Sequence, residues 1–175
     1  MEKTKVMLNS VLHERTKIDR TTLIRYYVNE YKSSNPIFLF QFFKLVFRYI
    51  YENTDLEMLD LLVDNFYDEV CIYGHFATNE FNKLLANLIS LNKVSEVIKI
   101  SPFIQELGNK KTLKLAKKFL YSLEKAKYID SREVFAVKKS VYYLDNKLKL
   151  GKKKAKVEIL DQGIFVKWKK FECLR

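Results

Sequence analysis

A chain of 175 residues with 48% hydrophobic and 14% aromatic content is long enough for one packed domain and too apolar to remain disordered. Four glycines and two prolines leave few turns for a fold of many short strands, and two cysteines, Cys71 and Cys173, exclude a disulfide framework and point to a reducing compartment. The net charge of +11 is unevenly placed: residues 1–100 carry 12 Lys+Arg against 13 Asp+Glu, whereas residues 101–175 carry 20 against 8. Such polarity suggests that one end of the chain faces a polyanion, with nucleic acid ahead of an anionic membrane surface.

The apolar stretch Pro36–Tyr51 is interrupted by Gln41, Lys44 and Arg48 and falls short of the roughly 20 residues that cross a bilayer. The start Met1-Glu2-Lys3-Thr4-Lys5 lacks the apolar core of a secretory signal. A cytoplasmic or nuclear protein with no membrane partner is expected.

In chain order, Asp19 precedes Leu23, Tyr26, Tyr27 and Tyr31 at helical spacing, and Asn35-Pro36 opens a long helix through Phe40, Phe43, Val46 and Phe47, with Pro at a position that needs no N–H. Thr54-Asp55-Leu56-Glu57 has the form of a capping box with the Thr hydroxyl as cap, followed by Leu59, Leu62, Val63 and Phe66 on the inner face. Gly74 ends that stretch, and Thr78 or Asn79 caps a helix whose stripe is Phe81, Leu84, Leu85, Leu88 and Ile89. Pro102 should divide Val94–Ile100 from Phe103–Leu107, with Gly108 as terminator. A helix over 112–127 follows, then one capped at Asp130-Ser131-Arg132-Glu133 and running to about Leu144. Beyond it, Lys147-Leu148-Lys149-Leu150 alternates, Gly151-Lys152-Lys153-Lys154 reads as a basic turn, and residues 157–160 and 164–168 flank Asp161-Gln162-Gly163 as a β-hairpin.

The expected fold is therefore mainly α: antiparallel helical hairpins, solenoid-like or an irregular bundle, with a small C-terminal β-hairpin. About four helix pairs occupy 1–146 and a basic hairpin extension occupies 147–175. Turns at Lys17-Ile18-Asp19, Asn53-Thr54-Asp55, Lys93-Val94-Ser95 and Tyr128-Ile129-Asp130 recur at intervals of 35 to 40 residues, the range of helical repeats. Residues 79–107, with Phe81–Ile89 followed by Asn92–Ile100, resemble a pentatricopeptide or tetratricopeptide repeat. That resemblance implies a stack of helix pairs.

For chemistry, the sequence offers no clustered glycines to cradle a phosphate, and Cys71 and His75, four apart, are two ligands short of a zinc site. No catalytic residue, metal or cofactor is expected. Asp60, Asp64 and Asp68 fall at i, i+4 and i+8 with Glu57 nearby, within a stretch from Tyr49 to Asn82 that has no Lys or Arg. They form a candidate docking face for a basic protein partner. Lys110, Lys114, Lys117, Lys118, Tyr121 and Lys125 share one helical face opposite Leu113, Ala116, Phe119, Leu120 and Leu123. With Lys152, Lys153, Lys154, Lys167, Lys169 and Lys170 they are candidate phosphate contacts, and Tyr121 and Trp168 are candidates for stacking on unpaired bases. Only Arg132 and Arg175 are Arg among the 20 basic residues after position 100, which favours backbone contact over guanine readout.

The leading expectation is a non-enzymatic nucleic-acid-associated protein, with RNA ahead of DNA, acting alone or among other subunits of a ribonucleoprotein. A winged-helix DNA-binding protein, built from the last two helices and the hairpin, is the first alternative. A protein–protein adaptor with acidic and basic docking faces is the second.

Overall fold

The computed structural model describes residues 2–125 and 131–161. The helices are α1 (Glu2–His13), α2 (Lys17–Ser34), α3 (Pro36–Asn53), α4 (Leu56–Asn65), α5 (Tyr67–Tyr73), a 3-10 turn (Gly74–Ala77), α6 (Thr78–Ser90), α7 (Val94–Lys99), α8 (Ser101–Leu107), α9 (Lys110–Lys125) and α10 (Ser131–Asp161). Among the described residues there is no β-strand.

The centre is α3. Leu39, Phe42, Phe43, Val46, Phe47 and Ile50 are all sealed from solvent, and their spread around the helix explains why it packs against α1 and α2 on one side and α5, the 3-10 turn and α6 on the other. Phe47, Phe81 and Phe103 then tie α3, α6 and α8 together, with ring centroids 5.8 Å apart for Phe47–Phe81 and 6.5 Å for each contact to Phe103. These near-perpendicular rings add edge-to-face attraction to the area they bury. Outside α6 and α8 lie α9 and α10, so the basic helices form one flank of the body.

Most start and stop signals act as expected. Pro36 sits in the first turn of α3, and Pro102 opens α8 after α7 has closed at Lys99. At the α3–α4 turn the frame moves by one residue. Asp55, not Thr54, caps α4, its carboxylate accepting from the Met58 N–H at 2.9 Å, while Thr54 takes the left-handed conformation (φ 52°) that closes α3. Here the two roles fall on neighbouring residues, the left-handed Thr54 closing one helix and the Asp55 carboxylate capping the next. At the start of α2 the cap is Thr16, which accepts from the Asp19 N–H at 3.1 Å and donates to the Asp19 carboxylate at 2.6 Å.

The C-terminal β-hairpin is overturned. Residues 147–161, which include the supposed basic turn Gly151–Lys154 and the first strand 157–160, continue α10 without a break past position 147. Lys, Leu and Ala favour the helix, and one glycine costs only about 1 kcal/mol. Val137, Val141, Leu144 and Leu148 also extend a helical stripe onto the core, so the alternation at 147–150 is one edge of that stripe. The second half of the expected hairpin, with Lys167, Trp168, Lys169 and Lys170, lies outside the described residues, as does the turn 128–130.

Candidate nucleic-acid interface

α9 is fixed at its beginning by a polar knot. The Asn109 side chain accepts from the backbone N–H groups of Lys111 (2.9 Å) and Thr112 (3.1 Å), and the Thr112 hydroxyl accepts from the Asn109 N–H (2.9 Å), a reciprocal cap. The same Thr112 hydroxyl donates to the buried Asn82 carbonyl oxygen on α6 at 2.6 Å, and the Asn82 amide donates to Asn109 at 3.3 Å. Gly108, just before the knot, has no room for a side chain: a Cβ there would run into the Ile104 carbonyl oxygen and Leu144. Below the knot, Thr112, Ala116, Phe119 and Leu123 are buried, which turns the opposite face outward.

On that outward face Lys110, Lys114, Lys117, Lys118, Tyr121 and Lys125 are all exposed. Lys117 pairs with Asp145 of α10 at 3.4 Å, and the Lys125 ammonium sits 4.4 Å from the centre of the Tyr121 ring. Among the described residues no carboxylate pairs with Lys110, Lys114 or Lys118. Lys110 and Lys111 also stand in the first turn with no acidic residue beside them, where the positive end of the helix dipole disfavours cations. Both choices leave uncompensated positive potential at this end of α9.

Two ion pairs set the register of α9 against α10. Lys117 meets Asp145, and seven residues further along α9, Glu124 meets Lys138, seven residues back along α10. The helices are thus antiparallel, and the edge facing α10 carries Lys117 and Glu124 while Lys110, Lys114, Lys118 and Tyr121 remain to the solvent side. Asp145 also accepts from Lys149 at 2.8 Å. Hydrogen bonding from Lys149, then from Lys117, outweighs desolvation and holds the Asp145 carboxyl below its ordinary range. Lys147 points elsewhere, its ammonium donating to the last carbonyls of α8, Gln105 (3.4 Å) and Glu106 (3.1 Å), a favourable place for a cation.

Sequence reasoning missed part of this surface. α10 exposes Phe135 (65%), Tyr142 (64%), Tyr143 (46%) and Leu150 (58%), and Lys139 is exposed among them. The offsets of 4, 7 and 15 from Phe135 to Lys139, Tyr142 and Leu150 place them on one side of the helix. The spacing was available in the sequence, but aromatics at helical spacing are more often core, and only the packing of Val137, Val141 and Leu144 shows which side is inward. Over residues 110–125 and 131–151 there are 11 Lys+Arg and 3 Asp+Glu. Lys152, Lys153 and Lys154 continue on the α10 backbone.

The acidic residues are differently placed. Asp60 and Asp64 share Lys99 of α7, at 2.9 and 3.4 Å; Asp64 also meets Lys17 of α2 at 3.2 Å, and Glu57 meets Arg20 at 3.6 Å. Desolvation would raise the Asp64 carboxyl, but hydrogen bonds and charge from Lys17 and Lys99 outweigh it and lower its pKa. Asp68 is not part of the stack, because α4 ends at Asn65 and α5 begins at Tyr67. An open groove of about 760 Å³ lies between α2 and α4, lined by Lys17, Arg25, Tyr26 and Asp64 among others, with nothing from α9 or α10.

Among the described residues no three metal-ligating side chains converge. Burial pushes the Cys71 thiol up to about 11, against a reactive thiolate, and desolvation lowers His75. No described helix is long and apolar enough to cross a membrane. No family model matches the chain, and no curated protein or solved structure matches it.

Proposed function

We propose that the protein is a non-enzymatic nucleic-acid-associated protein, RNA-binding in preference to DNA-binding, that grips phosphates with the outer face of α9 and α10. A free binder and a subunit of a ribonucleoprotein share this chemistry. The observation that carries the reading is the division of labour among the lysines: Lys117 and Lys138 lock the helix pair, while Lys110, Lys114 and Lys118 remain unmatched by carboxylates on its outer side. The phosphate backbone rewards such an array through counterion release. A cytoplasmic or nuclear site of action fits the thiol of Cys71, free among the described residues.

The alternatives draw less support. A winged helix needs a hairpin after its second helix, and α10 runs through residues 157–161 instead. An acidic docking face on α4 needs unpaired carboxylates, and Glu57, Asp60 and Asp64 each have a cation.

The test is the quadruple variant Lys110→Gln, Lys114→Gln, Lys118→Gln, Lys125→Gln, titrated with RNA at several salt concentrations. With about four phosphate contacts removed, affinity at 0.15 M salt should fall on the order of a hundredfold and the salt slope should flatten by roughly 3. Parental affinity and slope in a folded variant would show that these lysines are merely solvated.

A further inference from the structure

The exposed rings on α10 are unexplained by phosphate contact alone. Phe135 and Tyr142 stand seven residues apart, two helical turns or about 10 Å, and both are about two-thirds exposed. Tyr143 adjoins Tyr142, with ring centroids 5.8 Å apart and planes at 72°. The register set by Lys117–Asp145 and Glu124–Lys138 puts Tyr121 of α9 within one residue of the level of Tyr142, and Tyr121 is itself 60% exposed. Ammonium groups border these rings: Lys125 beside Tyr121, Lys118 one turn before it, and Lys139 between Phe135 and Tyr142. Carboxylates near them are neutralised, Glu124 by Lys138 and Asp145 by Lys149 and Lys117.

We infer that this two-helix face binds single-stranded nucleic acid, its bases stacking on Phe135, Tyr142 and Tyr121 while Lys118, Lys125 and Lys139 hold the intervening phosphates. This rests on the proposed function and narrows its ligand to unpaired strands. Flat rings and point charges on one surface complement a polymer that alternates flat bases with point charges of opposite sign. A duplex offers only the charges, because its base faces are already stacked on one another. The shortage of Arg on the face fits sequence-tolerant stacking, not edge readout.

The experiment compares three nucleic-acid probes of matched length and one lipid probe on the full chain: a 20-nucleotide single-stranded RNA, an abasic strand with the same phosphates, an A-form RNA duplex and anionic phosphatidylserine vesicles. The base-bearing strand should bind at least tenfold more tightly than the abasic one and more tightly than the duplex, and it should quench tyrosine fluorescence. In the variant Phe135→Leu, Tyr142→Leu, which keeps apolar bulk but removes two of the three rings, most of that advantage should be lost while the salt slope stays parental. Unaltered helical circular dichroism certifies the variant, and Tyr142→Leu alone, losing part of the advantage, provides a second reading if the double variant misfolds. Equal binding of base-bearing and abasic strands, or preference for the duplex, would overturn stacking while leaving the phosphate reading intact. A preference for vesicles over every nucleic acid would overturn both, as would failure of all nucleic-acid probes to bind.

Discussion

The α4 face and the α9 face both begin as rows of like charge at helical spacing, and they end differently. On α4, Glu57, Asp60 and Asp64 meet Arg20, Lys99 and Lys17 brought in from α2 and α7, so the acidic row acts as internal fastening between helices. On α9, two residues, Lys117 and Glu124, are matched across to α10 and the remaining lysines face outward without a carboxylate among the described residues. Charge count along a helix is thus a poor guide to which charges stay unpaired. What distinguishes a fastening from a binding face is whether the fold delivers counter-charges to it, a property of tertiary structure.

The comparison predicts that damage to the two regions separates stability from binding. The largest stability loss should come from Asn82→Ala, which takes from the buried Thr112 hydroxyl the closer of its two acceptors and loosens the start of α9; about 2 kcal/mol is expected, read from urea denaturation. Nucleic-acid affinity should fall with it, since α9 is then less firmly aimed. Next, the double reversal Asp60→Lys, Asp64→Lys would set like charges around Lys99 and Lys17. It should cost about 1–2 kcal/mol, more than a single surface pair is worth, and leave nucleic-acid affinity undiminished in a filter-binding assay. A loss of affinity there would erase the contrast between the faces. In the opposite direction, Gly151→Ala should stabilise by up to about 1 kcal/mol, since a Cβ at Gly151 meets nothing within 4 Å and α10 is continuous through it; destabilisation would argue against that continuity. The smallest stability effect belongs to Asp145→Asn, a change at a solvent-screened ion pair. It should release Lys117 and Lys149 to the outer face and raise affinity several-fold, with a steeper salt slope.

Acid should mimic Asp145→Asn in sign. The Asp145 carboxyl titrates lower folded than unfolded, so its contribution to stability is fully present above the unfolded value and disappears as pH falls through the depressed folded one.

Much of the helical layout was legible because local chemistry and packing agree. Pro36 and Pro102 mark real starts, and Phe81, Leu84, Leu85 and Leu88 are buried as their spacing requires. The break between α4 and α5 at Phe66 carries no glycine or proline, and so gave no signal. α1 carries a weaker signal, because its inner face is short, with Met7, Leu8 and Val11 preceded by the polar Thr4. The β-branched residues after 156 suggest a strand on their own, but the Lys- and Leu-rich run before them carries the helix on to Asp161. For the site, the outward lysines of α9 could be seen in advance from one helix alone. The partners of Asp60, Asp64 and Lys117, and the outward side of α10, depend on residues up to 47 positions away and follow only from the packed fold.

The Phe47–Phe81–Phe103 cluster also has a consequence for synthesis. A ribosome delivers the chain from the N-terminus at about 5–20 residues per second, so α3 is complete some 50 residues before its last aromatic neighbour emerges. For roughly 3–10 seconds in every round of translation Phe47 waits without its Phe103 cover. A pause in translation between codons 54 and 103 would lengthen the exposure of that apolar surface to aggregation.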